Sequence, residues 1–479
     1  MEAKTIIDRV LPLVKPDPEE RDAVTKAAET VRREVENELE EVAPEARVEL
    51  IGSIARDTWL PGTSDADVFC VFPRDVDLDE IVEVTLKVGS RVIRRLGGEP
   101  REDYAHHPYV TGKVKVDGVP LEVDIVPCYD SPPDDPKTPV DRTPHHNRYV
   151  LENLEDPDEV RLLKAFLKTI RAYGAEARVK GFSGYLCEVL VIHYGSFLDV
   201  LKSAADVWRP GYVVDPRGFV GDVYEDHDEV REKFEDQNPA LIVLDPVDPD
   251  RNVAAALSRR QLARFVVAAR MFLERPTEGA FIPRKPQRLA AYEVIGVAET
   301  GHLVGLEVVL PDAPEDVYWP QLEKTARSTV KRLEDAGFRV RRWTVHAEED
   351  RGLGYVLIET EERELAPEEW RAGPEGWAQP ERTTGFADAH GKFWFDEDGR
   401  MRARVKRNAL KVEDVLSGLE GADEHFLLSW GFGKDIAKAS TGEVKVLKAE
   451  DVASLVLELE PSPELDEFFR GDVISRLFA

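Results

Sequence analysis

The chain has 479 residues, 42% hydrophobic and 33% charged, and its 64 basic against 94 acidic side chains leave a formal charge of −30. That is roughly three domains at ~150 residues each, with no run of about 18 apolar residues to cross a bilayer and with charges in MEAKTIIDRV where a secretory leader needs an apolar stretch. A cytoplasmic protein with no membrane partner is expected, and the acidic balance argues against a nucleic-acid partner without excluding one, because phosphate contact is a local property.

The first 45 residues read as helical, with Val24, Ala27, Val31 and Val35 at helical spacing within 20–41. Strand patterns follow in ARVELIG and in ADVFCVFP over 66–73, then a helix over 79–97. YVTGKVKVDG and VPLEVDIVP read as strands joined by the turn pair Asp117-Gly118. Residues 130–148, rich in Pro and Asp, read as a linker or long loop and mark a first boundary. Helix returns over 158–175, and FSGYLCEVLVIHYGSFLDVLKSA reads as one longer apolar helical stretch. ALIVLDPVDPDRN is a strand followed by a polar turn, and AAALSRRQLARFVVAARMFLERP is another helix. From about residue 276 the order is strand–helix–strand–strand, in HLVGLEVVL, PQLEKTARSTVKRLEDAG, FRVRRWTVHAE and GYVLIETEE. Such a unit suits an open sheet with helices on one side. KFWFDEDGRMRARVKR adds strand signals, followed by two or three short helices. The expected class is α+β and multidomain, divided as 1–150, a mainly helical 151–275, and 276–479. Cys70, Cys128 and Cys187 lie far apart with no CxxC pair, which excludes zinc-ribbon spacing and leaves three free thiols in apolar, core-like contexts.

The sharpest signal is IGSIARDTWLPGTSDADV over 51–68. Gly52 and Ser53 end a strand, and after an eleven-residue spacer Asp65 and Asp67 flank Ala66. Residues two apart in a strand face the same side, roughly 6–7 Å apart. The two carboxylates therefore project together and repel unless a cation neutralises them, as a hard divalent ion with oxygen ligands would. In LEVDIVP, Leu121, Val123 and Ile125 would face a core while Glu122 and Asp124 face away. A neighbouring strand setting Asp124 beside Asp65 and Asp67 would complete a three-carboxylate, two-metal site that aligns an attacking hydroxyl with a nucleoside triphosphate. Gly52 lets backbone approach a phosphate closely, and the Ser53 hydroxyl and nearby N–H groups can donate to its oxygens. The bland alternative is a wet strand face in an acidic chain; the conjunction of Gly-Ser, D-x-D and a later apolar-flanked Asp argues for catalysis.

Gly-Ser, the spacer, D-x-D and a later single Asp resemble the nucleotidyltransferase superfamily of DNA polymerase beta type. The match narrows, because GSIARDTWLPGTSDADVFCVFP, HPYVTGKV, VDIVPCY, DRTPHHNRYV, VRLLKAFLK, GFSGYLCEVL and DPVDPDRNVAAALS occur in this order. Together they resemble the archaeal (class I) CCA-adding enzymes, the tRNA nucleotidyltransferases, densely over 45–275 and more loosely beyond. The resemblance implies a polymerase beta-like nucleotidyltransferase palm, a helical middle domain and α+β C-terminal RNA-binding domains. It implies untemplated addition of C, C and A to tRNA 3′ ends from CTP and ATP. Mg²⁺ would be held by Asp65, Asp67 and Asp124, the first being Glu in some members. Triphosphate and ribose contacts carry over to Ser53, Arg56, His146, Lys164 and Tyr173, with Tyr109 and Thr143 in matching motifs. Arg251, of the D-x-x-R-N turn, would help read the incoming base. tRNA is the implied partner, and a homodimer the implied assembly. A poly(A) polymerase or another nucleotidyltransferase of the superfamily, and a catalytically silent RNA-binding relative, are the alternatives.

Arg161, Lys164, Lys168 and Arg171 recur at helical spacing and read as one basic stripe beside an apolar one. RMRARVKRNALK, over 400–411, has six basic residues and no acidic one. Arg400, Arg402, Arg404 and Lys406 alternate along a predicted strand and would make one basic, RNA-binding face. Arg339, Arg341 and Arg342 with Trp343 combine charge with an aromatic able to stack on a base. Of the doublets His106-His107 and His145-His146, His107 before Pro108 is expected to be structural, and neither doublet has a third soft ligand at metal spacing.

Overall fold

The N-terminal residues form two helices, Ala3–Val14 (α1) and Pro18–Glu40 (α2). The break comes at Asp17, whose side chain accepts from the Glu20 N–H at 2.8 Å while Pro18 takes the first helical position. The computed structural model describes residues 2–104, 106–299 and 302–478. It divides into two units, Met1–Arg284 with Val473–Ala479, and Lys285–Asp472.

In the first unit the strands Arg47–Ile51 (β1), Asp65–Phe72 (β2), Arg101–Tyr104 (β3), Pro108–Val116 (β4) and Val119–Tyr129 (β5) form one sheet in the order β1-β2-β5-β4-β3. The short helix Gly52–Ala55 (α3) follows β1, and Leu78–Arg95 (α4) follows β2. β2 and β5 pair in parallel and every other pairing is antiparallel. Asp117 and Gly118, at φ 49° and 91°, make the tight β4–β5 turn that the sequence signals. Alternation decides the two faces. Ala66, Val68, Val123 and Ile125 enter a core with Val31, Val35, Val88 and Val92 from α2 and α4. Asp65, Asp67, Glu122 and Asp124 are left on the opposite face.

Residues 130–148 are not a linker throughout. A 3-10 turn at Pro139–Arg142 and the helix Thr143–Asn153 (α5) begin inside them. The buried Asp141 organises the turn, accepting from the N–H groups of Tyr129 and Thr138 and from the Thr138 hydroxyl. The helices Pro157–Thr169 (α6), Gly184–Tyr194 (α7), Phe197–Asp206 (α8), His227–Lys233 (α9) and Arg259–Glu274 (α10) follow. The single apolar helix expected over 182–204 is broken into α7 and α8, bent by 89°. Gly195, at φ 91°, ends α7 in the left-handed conformation, and Ser196 caps α8. Among the described residues no single helix is long and apolar enough to cross a membrane. Tyr212–Val214 (β6), Leu241–Asp245 (β7) and Asp248–Asn252 (β8) form a small sheet, so the polar turn expected after Leu244 is itself a strand folded back on β7. Phe166, Phe197, Phe265, Phe272 and Phe281 meet at centroid distances of 5.5–6.1 Å in the core of this part. All three cysteines are buried and unpaired, as their apolar contexts predict.

In the second unit the helix Ala291–Ala298 (α11) precedes Leu303–Val309 (β9), Glu315–Asp335 (α12), Val340–Glu348 (β10) and Leu353–Thr360 (β11). These strands form a sheet ordered β10-β11-β9 and extended by a later strand. Glu368–Glu375 (β12), Pro380–His390 (α13), Trp394–Phe395 (β13) and Arg400–Lys406 (β14) make a second sheet, ordered β12-β14-β13. β12, in EEWRAGPE, is not among the expected strands; its Gly373 and Pro374 fall in a register shift between Ala372 and Glu375. Val412–Leu416 (α14), Glu424–Trp430 (α15) and Lys434–Ala439 (α16) lead to Lys445–Leu447 (β15), which pairs with β9. Ala449–Glu458 (α17), Pro463–Arg470 (α18) and Val473–Leu477 (α19) complete the chain, the last within the first unit. The C-terminal helices thus exceed the two or three expected, most of them running for only five to eight residues.

Candidate active site

The parallel β2–β5 register sets Asp67 directly opposite Asp124 and Asp65 opposite Glu122. The three carboxylates Asp65, Asp67 and Asp124 line one open cleft of about 470 Å³ with Gly52, Ser53, Arg56, Lys164, Tyr173 and Tyr109. Burial pushes the Asp67 carboxyl up to about 7, helped by the charges of Asp124 and Asp65 and opposed by Arg56. Burial also raises Asp65, with Glu122 adding to it and Lys168 opposing. Asp124 is raised by burial too, against a hydrogen bond from Thr111, its neighbour on β4. Burial and mutual repulsion both favour the protonated forms, and Arg56 and Lys168 only partly offset them. Among the described residues no three His, Cys, Asp or Glu side chains already close on one ion position.

Gly52 stands over this face. Its φ is 81°, and a Cβ there would lie 1.9 Å from Asp67 Oδ2, so only glycine lets the Gly-Ser turn sit against the carboxylate. The segment after α3 then carries Arg56 and Thr58 into the interior. Arg56 donates through Nε to Asn147 Oδ1 at 2.9 Å and through Nη1 to Glu188 Oε2. The Thr58 hydroxyl donates to Glu188 Oε1 at 2.6 Å, and Lys164 Nζ lies 3.8 Å from that oxygen. One buried carboxylate from α7 thus faces two buried cations at the cleft wall. Burial opposes ionisation of Glu188, but Arg56, Lys164 and the hydrogen bonds hold it below the usual carboxylate range. Burial lowers Lys164, and Glu188 is the largest influence keeping its proton.

The helical basic stripe is corrected by burial. Arg161 and Lys164 are 1% and 3% exposed, because α6 is packed on nearly all sides. Arg161 anchors the segment after α3, donating to the Trp59 carbonyl at 3.0 Å and to Asp57 and Asp158 at 2.5 Å. Lys168 lies 5.4 Å from the Tyr173 ring, at the same cleft. Arg171 falls beyond the end of α6, at φ 58°.

His146 is in α5, behind the cleft wall, stacked on Tyr185 with centroids 4.2 Å apart. Burial lowers its pKa while Asp245 beside it opposes that shift, and Nε2 donates to Asp245 Oδ2 at 2.8 Å. Arg251 donates to the same oxygen at 2.6 Å. It lines a second cleft, of about 430 Å³, with Arg142, Ser183, Asp248 and Asn252. The fold therefore gathers Asp65, Asp67, Asp124, Ser53, Arg56, Lys164 and Tyr173 in one cleft and sets His146 and Arg251 around a neighbouring carboxylate. Glu188 and Asp245 were not singled out in the sequence. A lone acid inside the apolar runs YLCEVLVI and LIVLD was the available signal, since a buried carboxylate requires a partner.

On β14, Arg400, Arg402, Arg404 and Lys406 share one face of their sheet. Arg400 pairs with Glu375 at 3.3 Å, Arg402 with Asp396 at 2.8 Å, and Arg404 with Glu368. Trp370 stands opposite Arg404 and Trp394 opposite Arg402, so both indoles lie on that face. They are 59% and 47% exposed and meet edge to face at 5.1 Å. The Arg339–Trp343 cluster differs. Trp343 packs against the core, and Arg339, Arg341 and Arg342 are ion-paired with Glu359, Glu361 and Glu362.

Residues 32–146 match the nucleotidyltransferase domain family, 158–282 the second domain of tRNA nucleotidyltransferase, and 300–449 the C-terminal domain of CCA-adding enzyme. The chain is 58% identical over 480 residues to a CCA-adding enzyme of Methanopyrus kandleri, covering 100% of this chain and 99% of that one. It is 39% identical over 442 residues to a CCA-adding enzyme of Methanothermobacter thermautotrophicus, covering 91% and 92%. A CCA-adding enzyme of Halobacterium salinarum is 36% identical over 403 residues, covering 83% and 82%.

Proposed function

The chain belongs to the CCA-adding enzyme family, and we propose that it completes immature or damaged tRNA with C, C and A from CTP and ATP at a catalytic centre formed by Asp65, Asp67 and Asp124. The observation that carries this reading is the parallel β2–β5 register, which puts three carboxylates on one face beneath the Gly52-Ser53 turn. The donor set fits Mg²⁺ in kind, because it is all oxygen and its carboxylates share one face of the sheet. When bound, the ion neutralises the carboxylates and stabilises charge on the reacting phosphate oxygens.

Asp65, Asp67 and Asp124 would hold the ion, and Asp124 would also help orient or deprotonate the tRNA 3′-hydroxyl, taking up its proton. That oxygen attacks the α-phosphorus in line; the bond to the bridging α–β oxygen breaks, and pyrophosphate leaves. Ser53 donates to the triphosphate, and Arg56 and Lys164 offset its charge from the cleft wall, with Tyr173 beside them. His146, stacked on Tyr185, supports that wall. Arg251 helps read the incoming base, and its polar donors penalise a wrong base by leaving them unpaired. Arg400, Arg402, Arg404 and Lys406 contact the tRNA backbone. The protein acts as a cytoplasmic homodimer in this reading, which rests on the family resemblance and, for the reducing compartment, on three unpaired cysteines.

The test is a tRNA transcript ending before CCA, supplied with Mg²⁺ and labelled CTP or ATP. Two C and then one A, halting there and absent in Asp67→Ala and Asp124→Ala, is the expected result. A long A tail would indicate a poly(A) polymerase. No incorporation with tRNA still bound would indicate a silent relative.

A further inference from the structure

Asp245 is fully buried at the end of β7, yet it is not an isolated charge. Oδ2 accepts from His146 Nε2 at 2.8 Å and Arg251 Nη1 at 2.6 Å, and Oδ1 accepts from the Tyr185 hydroxyl at 3.2 Å and the Val247 N–H at 3.1 Å. A carboxylate offers about four acceptor positions, so these four donors fill it. They come from α5, α7 and the β7–β8 hairpin. Two of them belong to walls of different clefts, Tyr185 to that of the three carboxylates and Arg251 to its neighbour. The Tyr185 ring also lies 5.8 Å from the Arg56 guanidinium carbon. Hydrogen bonds therefore join Tyr185, Asp245 and Arg251, and the Tyr185 ring in turn packs beside Arg56.

We propose that Asp245 is a positioning residue for nucleotide selection, fixing the Arg251 guanidinium in one orientation and tying it to the wall of the catalytic cleft. The proposal rests on the reading of Arg251 as a contact to the incoming base. The Arg251 side chain is 41% exposed, so without this anchor its long stem would turn in solvent. A base edge is discriminated only by a donor that cannot follow it. The planar guanidinium fork, held at one nitrogen, presents its other N–H groups in a fixed plane, which a point charge cannot do.

The full-length protein with a tRNA transcript ending before CCA tests this, through kcat/KM for CTP against UTP and, at the last step, ATP against GTP. Asp245→Asn should lower both selectivity ratios by roughly ten- to hundredfold, the scale of one lost charge-assisted hydrogen bond. It should lower selectivity little further in an Arg251→Ala background. A merely structural role would slow all four nucleotides alike and leave the ratios unchanged, which would overturn the proposal, as would additive losses in the double variant. Should Asp245→Asn fail to fold, Arg251→Lys serves, because that side chain is partly exposed. It keeps the charge but loses the oriented fork, and full selectivity in it would equally overturn the proposal. If Arg251→Ala itself selects as wild type does, the reading of Arg251 has failed and the proposal falls with it. If Arg251→Ala loses selection but Asp245→Asn keeps it, only the role of Asp245 is wrong.

Discussion

Asp67 and Asp124 face each other across the parallel pairing of β2 and β5, 57 residues apart in the chain and adjacent in the sheet. Each has apolar neighbours in its own strand pointing the other way, so neither can leave this face without moving the core. Replacing either by Ala should therefore abolish nucleotide addition while the chain stays folded. A loss of roughly 10²–10³-fold or more in kcat, the scale of removing one preorganised electrostatic group, is expected by single-turnover incorporation with an unchanged far-UV spectrum.

A metal ion held at Asp67 would compete with the proton that burial favours there, so its binding should depend on pH. A carboxylate whose folded pKa lies above its unfolded value stabilises the fold when protonated. Its contribution is complete below about 4 and is lost as pH rises through about 7. With chelator present, the first thermal transition should fall between pH 5 and 8 by at least ~3 °C more in wild type than in Asp67→Asn, the scale of ~1 kcal/mol. Mg²⁺ should recover most of that loss at pH 8 and little at pH 5. Equal pH slopes in the two proteins would refute the linkage.

Glu188 pairs with the buried Arg56 and is the main charge opposing the loss of the Lys164 proton in a dry wall. Glu188→Gln keeps the side-chain shape but removes the negative charge and turns one of the two oxygens that accept from Arg56 and Thr58 into an NH2 donor. KM for CTP and ATP should rise by about tenfold, with kcat less affected. The alkaline limb of kcat/KM should move to lower pH, because burial then lowers Lys164 with its main opposing charge gone. Glu188→Ala should cost more in stability, about 3–5 kcal/mol, since it leaves two buried cations without their carboxylate. Urea titration distinguishes the two variants.

Gly52 and Gly62 offer an internal control. Both have positive φ, 81° and 75°, but a Cβ at Gly62 meets nothing within 4 Å, while at Gly52 it would strike Asp67. Alanine at either should cost about 1–2 kcal/mol of backbone strain. Only Gly52→Ala should lose activity, by ~10²-fold or more, as the displaced carboxylate leaves its aligned position. Similar activities in the two variants would count against a catalytic role for the turn.

The β14 face should be read through its salt dependence. Its arginines are held by exposed carboxylates, and such pairs are worth only ~0–1 kcal/mol, so phosphate can replace them. Each of Arg402→Ala and Arg404→Ala should weaken tRNA binding and reduce the slope of log K against log salt by about 1. Trp370→Ala should weaken binding without changing the slope, if its exposed indole stacks on a base. Unchanged slopes in both arginine variants would remove this face from the RNA interface.

Much of the site could be read from the chain because alternation is local. In a strand, side chains two apart share a face, so D-A-D and V-D-I state which carboxylates point away from the core before any neighbour is known. The Gly-Ser turn, the Asp117-Gly118 hairpin and the main strands of both units are legible for the same reason: they depend on short-range sterics and hydrophobic period. The α7–α8 break at Gly195 was obscured because a continuous apolar run looks the same in one helix or two. β12 was hidden by the Gly and Pro of its register shift.

What the sequence determined by itself was the chemistry available, three carboxylates, a glycine turn and a set of basic side chains in family order. Only the tertiary structure decided which of those charges meet. Whether Lys164 is a solvated stripe or a buried cation, and whether Asp245 is a turn residue or the junction of two clefts, depends on α6, α7 and the β7–β8 hairpin packing together. Burial and ion pairing are properties of neighbours distant in the chain. An acid in an apolar run announces that a partner is needed, but only the fold supplies it.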